Sequence, residues 1–291
     1  MPSLPKILVT GSNGQLGSEL RALSSSYPGY DFVFFDRSTW PVDDEEKGNA
    51  IIAGEKAQFL VNCAAYTAVD KAETEKEKAA SINGTATGYL AAACARSGTK
   101  FLHISTDYVF DGSASEPIKE DHPLKPVNAY GASKLAGEEA AMKEDRECVI
   151  IRTSWVYSSF GNNFVKTMMR LMKEKESIRV VADQYGTPTY AADLAEAVMQ
   201  IIAGGKWVPG VYHFSNAGHI SWYNFAQAIA QDLHSSCAVY PIPTQDYPTP
   251  AKRPRYSVLD KSKITATFGI SLKDWRESLK VCLEKLLPVN N

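Results

Sequence analysis

Tyr130 and Lys134, in the stretch Tyr130-Gly131-Ala132-Ser133-Lys134, are the two side chains of this sequence best spaced for chemistry. Four residues apart on a helix, they share one face. A free phenol has a pKa near ~10, so about one in a thousand is ionised at neutral pH. A neighbouring ammonium favours the phenolate, and a tyrosine tuned in this way can exchange a proton with a substrate oxygen near neutral pH. Tyrosine and lysine are common, so the pair takes its weight from what stands upstream. Ile104-Ser105-Thr106-Asp107-Tyr108 runs from an apolar strand straight into hydroxyl and acid groups. There Ser105 or Thr106 can hydrogen-bond a substrate carbonyl beside Tyr130, and Asp107 can help position the substrate. Turns and helix caps use the same residue types.

A second constellation lies at the N-terminal end. Lys6-Ile7-Leu8-Val9-Thr10 reads as a strand that enters Gly11-Ser12-Asn13-Gly14-Gln15-Leu16-Gly17 and then a helical pattern through Leu20 and Leu23. Strand, glycine loop and helix form the context of a dinucleotide-binding loop. Gly11 permits the tight turn, Gly14 lets backbone approach a pyrophosphate, and Gly17 lets the helix pack on its strand. The helix N-terminus offers free amides and a positive dipole end to the phosphates. Asn13, Gln15 and Leu16 fall within the same candidate cofactor surface. Two residues separate each glycine, unlike the G-x-G-x-x-G form. The second strand, Tyr30 to Phe35, ends at Asp36, followed by Arg37. An acid there suits the ribose of NAD and an arginine the extra phosphate of NADP. With both present, NADPH and NADH stay open.

These groups need a frame to position them. Strand-like runs at Phe59–Ala65, Lys100–Ser105 and Cys148–Arg152 alternate with helical stretches, including the one that carries Tyr130 and Lys134. That alternation predicts a parallel sheet covered on both faces, a Rossmann-like doubly wound α/β fold, with ligands at the carboxyl ends of the strands. Ala64 and Ala65 sit at one such end, where small side chains would let a flat cofactor lie close. Asn83 could link Lys134 to the site, and His103 reads as structural. Beyond Arg152 the alternation weakens. Residues 1–153 are expected to form the cofactor domain, completed by parts of 178–206, and 154–291 mainly a smaller substrate lobe, the chain crossing between them more than once. The stretch Pro241 to Pro254 holds five of the fifteen prolines and reads as irregular. Arg253 and Arg255 could hold a phosphate or diphosphate.

Bulk properties bound the function. A hydrophobic content of 44% and a net charge of −2 suit an ordinary soluble globular protein. No basic stripe with interleaved aromatics points to nucleic acid, and no apolar run approaches a membrane span. Pro5 and the glycine loop interrupt any signal-peptide core. The five cysteines are widely spaced, with no C-x-x-C and no zinc-like Cys/His cluster, so a reducing cytoplasm is expected and no metal site is assigned.

With the glycine loop, Ser105-Thr106 and Tyr130…Lys134 in hand, the chain resembles an extended short-chain dehydrogenase/reductase. More closely, it resembles the dTDP-4-dehydrorhamnose reductase family. The stretches Asn62 to Glu73, Ser105 to Gly112, Arg152 to Tyr157, Asp183 to Thr189 and Arg253-Pro254 carry that likeness over nearly the whole chain. The resemblance implies NADPH- or NADH-dependent reduction of a 4-keto-6-deoxy sugar carried on dTDP. It places catalytic roles on Thr106, Tyr130 and Lys134 and substrate contacts on Trp155 and Asn163; Asp107 and Arg253 join the candidate substrate contacts, and Ala64, Ala65 and Tyr66 join the loop as candidate cofactor contacts. Some members are described as dimers with interface magnesium. Gln15 stands in this loop and no acidic set matches those ligands, which argues against magnesium, and a monomer or homodimer is expected. Two other readings stand beside it: a non-catalytic regulatory subunit like that of methionine adenosyltransferase, and a sugar-nucleotide epimerase or dehydratase with tightly held NAD. Intact Thr106, Tyr130 and Lys134 count against the first, and cofactor retained on purification would favour the second.

Overall fold

The computed structural model describes residues 4–287; residues 1–3 and 288–291, at the outer edges of the two expected domains, lie outside the described residues. The first half runs β1 (Lys6–Thr10), α1 (Gln15–Leu23), β2 (Asp31–Phe34), α2 (Glu45–Glu55), β3 (Phe59–Asn62), α3 (Val69–Ala72), α4 (Lys76–Ala79), α5 (Ala86–Ser97), β4 (Lys100–Thr106), α6 (Ala129–Glu144) and β5 (Val149–Thr153). A π-helical segment, Ala80–Thr85, joins α4 to α5. The second half runs β6 (Val156–Tyr157), α7 (Phe164–Glu174), β7 (Ser177–Val181), β8 (Tyr185–Gly186), β9 (Thr189–Tyr190), α8 (Ala191–Ala203), β10 (Gly210–His213), β11 (Ile220–Ser221), α9 (Trp222–Asp232), β12 (Ala238–Ile242), α10 (Ser262–Phe268) and α11 (Trp275–Leu286).

Six strands form one parallel sheet in the order β10-β5-β4-β3-β1-β2. Alternation along each strand explains why both faces are covered. Ile7 and Val9 of β1 point to the side of α1 and α8, packing with Leu16, Leu20, Leu194 and Val198. Leu8 points the other way, to Ile52 of α2 and to Leu90 and Cys94 of α5. A smaller core in the second half gathers Met168, Ile178, Phe225, Ile229 and Leu279.

The chain crosses between these regions, though at different residues from those expected. Within 178–206, α8 does pack in the cofactor core, but β7 pairs with β12 in the second lobe. The sixth strand of the main sheet is β10, beyond residue 206. Its side chains explain the choice, because Tyr212 feeds one core and Val211 the other, as a strand covered on both faces requires. The proline-rich stretch begins inside β12, where Pro241 is tolerated in a two-stranded ribbon. Among the described residues, no helix is long and apolar enough to cross a membrane.

Helix α6 is the element that carries Tyr130 and Lys134, and its start is set by Asn128, whose side-chain oxygen accepts from the Gly131 N–H at 2.7 Å. Ser133, Lys134, Gly137, Glu138 and Ala141 form its buried face. The helix lies so close to its neighbours that a Cβ at Gly131 would run into the Tyr108 carbonyl and one at Gly137 into the Asn83 carbonyl. Replacing Gly137 by alanine is therefore expected to destabilise the protein by about 1–3 kcal/mol, the usual result of overpacking a tight contact. Urea unfolding checks this, and an unchanged midpoint would show that the helix contact is not a tight one.

Candidate active site

A cavity of about 1060 Å³ opens at the carboxyl ends of β1, β3 and β4. It lies where the strand order reverses between β1 and β3, the place where open α/β sheets bind ligands. The glycine loop forms one wall. Gly11 has φ +64°, and a Cβ there would come within 2.7 Å of the Ala64 nitrogen. At Gly17 a Cβ would collide with the Gly11 carbonyl and Ser12, so Gly17 serves the packing of α1 and does not line the cavity. Gly14, Asn13, Gln15 and Leu16 do line it. Helix α1 has neither a side-chain cap nor an acid in its first turn, which leaves its leading amides free for an anion. Close backbone and unpaired donors are what a dinucleotide pyrophosphate needs, so the residues present fit such a cofactor.

Asp36 and Arg37 both reach the cavity. One Asp36 oxygen accepts from the Ser38 hydroxyl at 2.6 Å and from the Ser38 and Thr39 amides at 2.9 and 3.0 Å. The other accepts from Asn13 Nδ2 at 2.9 Å. Hydrogen bonds from Ser38 and Thr39 hold this carboxyl well below the usual carboxylate range. Asp36 thus stands as an anion that orders the turn after β2 and ties it to the glycine loop. Opposite, Ala64, Ala65 and Tyr66 line the cavity. Asn83, in the π-helical segment, clamps the Tyr66 backbone: its oxygen accepts from the Tyr66 N–H at 2.8 Å and its nitrogen donates to the Tyr66 carbonyl at 3.0 Å. It also donates to Ser133 Oγ at 2.9 Å. The expected link from Asn83 to Lys134 is thus replaced by one to Ser133, since its amide is already engaged by the loop.

Thr106, Asp107, Tyr130 and Lys134 meet on the same wall. Thr106 donates to Asp107 Oδ1 at 3.1 Å and accepts from the Tyr108 N–H at 3.2 Å. Loss of solvent around the Tyr130 phenol pushes it up to about 12, while a hydrogen bond with Thr106 pulls the other way. The expectation that Lys134 holds this phenol low is corrected here. Lys134 Nζ is turned to the Ile104 carbonyl at 2.7 Å and to His103 Nε2 at 3.0 Å. Burial pushes Lys134 itself down to about 8, against the Glu138 charge, which raises it. Burial likewise lifts the Asp107 carboxyl to about 6. At neutral pH the phenol keeps its proton, the state a proton donor must start from.

Trp155 also lines the cavity, with an unusual backbone. Its φ is +49°, a conformation that costs a non-glycine residue about 1–3 kcal/mol. The ring is fixed between Gly186, where a Cβ would come within 2.6 Å of it, and Trp222, stacked at 3.6 Å between centroids. Trp222, the first residue of α9, joins the cavity wall, and no motif in the sequence points to it. Asn163 and Arg253 are not on the wall. Asn163 caps α7 and donates to Gln15 Oε1 at 3.0 Å and to the Ser158 carbonyl at 2.7 Å. Arg253 lies in a two-pronged pair with Asp70, at 3.0 and 2.8 Å. Among the described residues, no group of three or more His, Cys, Asp or Glu side chains is gathered as a metal site.

Known proteins are similar to this chain in sequence and in fold. The family model described as RmlD substrate binding domain matches residues 5–287. A dTDP-4-dehydrorhamnose reductase of Burkholderia thailandensis is 43% identical over 297 residues, covering 97% of this chain and 99% of that protein. The crystal structure of a dTDP-4-dehydrorhamnose reductase from Clostridium acetobutylicum superposes with a TM-score of 0.93 at 40% identity, over 97% of this chain and 99% of that one. One from Bacillus anthracis, in complex with NADP, gives a TM-score of 0.93 at 37% identity, over 97% and 100%. Near-complete coverage in both directions joins the sequence motifs to the fold: the chain belongs to the dTDP-4-dehydrorhamnose reductase family.

Proposed function

We propose that the chain reduces the C4 keto group of dTDP-4-dehydro-L-rhamnose to dTDP-L-rhamnose. The observation that carries this reading is the placement of Tyr130 beside Thr106 on the wall of a cleft whose other side is the glycine loop, where burial favours the protonated phenol. NADPH or NADH, when bound, supplies the hydride that ends on C4. Thr106 donates to the carbonyl oxygen and Tyr130 gives it the proton as negative charge develops there. Lys134 then offsets the charge left on the phenolate and holds the cofactor's ribose. The leading amides of α1, with Gly11 and Gly14, receive the pyrophosphate, and Asn13, Gln15, Leu16, Ala64, Ala65 and Tyr66 enclose the rest. Asp36 and Arg37 flank the adenosine end. Residues up to 153, with α8 and β10, make the cofactor half, and the remainder holds the nucleotide sugar.

In this reading Trp155 and Asp107 contact the sugar. Arg253, already oriented by Asp70, faces the diphosphate from the rim, and Asn163 acts through Gln15 by bracing the glycine loop against α7. A monomer or a homodimer is compatible with this reading. The five free thiols suit a reducing compartment, the cytoplasm.

Spectrophotometric oxidation of NADPH and of NADH, with and without dTDP-4-dehydro-L-rhamnose, tests the activity. Oxidation that depends on the sugar is expected, and its absence despite cofactor binding would contradict the reading. Tyr130→Phe is expected to keep cofactor affinity and lose about 10²–10⁴-fold in turnover, the usual contribution of a placed acid. Near-normal turnover would remove Tyr130 from the role. Asp107 makes a separate test through stability. Its folded pKa lies above the unfolded value, so the folded state holds the extra proton between about pH 4 and about 6, and stability falls as pH rises through that window. A shift of this size corresponds to up to about 3 kcal/mol. Relative to Asp107→Asn, the wild type should lose stability across that window in pH-dependent urea unfolding; parallel curves would contradict the assignment.

A further inference from the structure

A histidine within an apolar strand reads as structural, yet the His103 ring joins Lys134 to Asn62 inside the sheet. Hydrogen-bond polarity along this chain can be worked out from one end. The backbone N–H of Ala64 can only donate, and it lies 3.2 Å from Asn62 Oδ1, which also accepts from the Thr10 hydroxyl at 2.7 Å. That fixes which end of the amide is oxygen. Asn62 Nδ2 therefore faces His103 Nδ1, 3.0 Å away, and donates to it. A neutral imidazole that accepts at Nδ1 carries its proton on Nε2. Nε2–H then points at Lys134 Nζ, 3.0 Å away.

An ammonium has donors only, so it cannot receive that bond. A neutral amine can, using its lone pair toward His103 and one N–H toward the Ile104 carbonyl at 2.7 Å. Other proton arrangements fail at Asn62, because a proton on His103 Nδ1 would face the amide's own N–H. His103 and Lys134 are each almost wholly buried, at 0% and 1% exposure, so water does not repair a mismatch. The groups facing Lys134 are the Glu138 carboxylate and Tyr130 on its own helix, the Cys63 thiol at the end of β3, and His103 on β4. Glu138 is the one carboxylate among these, and it is engaged by the Arg152 guanidinium at 2.7 Å. Burial holds His103 in its neutral form, and a proton added to Lys134 would push the imidazole the same way.

We propose that His103, oriented by Asn62, is a positioning residue that holds Lys134 as a neutral amine while the cofactor cleft is empty, so that cofactor binding takes up one proton onto Lys134 Nζ. The proposal rests on the reading above in which Lys134 serves the cofactor's ribose as an ammonium. The proton comes from solvent, and His103 keeps its own.

Calorimetric titration of NADPH into the full-length protein near pH 9, in buffers of different ionisation enthalpy, counts that proton directly. The wild type should take up about one proton per site. His103→Gln supplies a side-chain carbonyl that an ammonium can donate to, and should lower the count below half. Asn62→Asp should do the same by a different route: a carboxylate accepts from His103 Nδ1–H, which frees Nε2 to accept from the ammonium. A merely structural His103 would weaken binding and leave the proton count unchanged. Binding with no proton uptake by the wild type, or uptake unaltered in both variants, would overturn the proposal while leaving the cofactor site intact. Absence of NADPH binding by the wild type would remove the cofactor reading and this inference together.

Discussion

The seating of α6 against β4 and β5 decides where every reactive group ends up. Glu138, one helical turn beyond Lys134, is fully buried and receives two nitrogens of Arg152 from β5, at 2.7 Å for the shortest contact. Ser105 at the end of β4 donates to the same carboxylate. A pair this deep tolerates no loss of one partner, since an uncompensated buried charge costs about 3–5 kcal/mol. The close approaches of Gly131 to the Tyr108 carbonyl and of Gly137 to the Asn83 carbonyl fix the same helix further. Held at several points, Tyr130 and Lys134 have little freedom to choose another orientation.

That seating also determines proton positions. Removing water from Tyr130, Asp107 and Lys134 favours the neutral form of each, in the directions expected for buried acids and bases. For a reduction this is a useful starting state, because the substrate oxygen must gain a proton that the phenol still owns. Hydride transfer then changes the local charge, and the groups already in place respond without first having to be brought together.

Much of this was legible in the sequence where backbone geometry is written into residue type. Gly11 and Gly17 announced a compressed strand-to-helix turn because a Cβ at either would run into backbone, and the pair Tyr130 and Lys134 followed from helical spacing. The apolar runs gave the parallel sheet through their lack of a polar face. Long-range pairing was less accessible. Whether 178–181 or 210–213 completes the sheet depends on which run finds apolar neighbours on both sides, and that appears only when the chain is folded. Side chains with several options were hardest. Arg253 is clasped by Asp70, Asn83 by the Tyr66 backbone, and His103 by Asn62 and Lys134. Each partner lies far away in sequence or carries no motif.

Isotope tracing tests the reduction most directly. With NADPH deuterated at C4 of the nicotinamide and dTDP-4-dehydro-L-rhamnose as acceptor, the sugar product should carry one deuterium at C4, in step with the NADP formed. A product with no deuterium, or a label returned to a cofactor that shows no net oxidation, would contradict a reductase and point to an enzyme that regenerates its cofactor within each turnover.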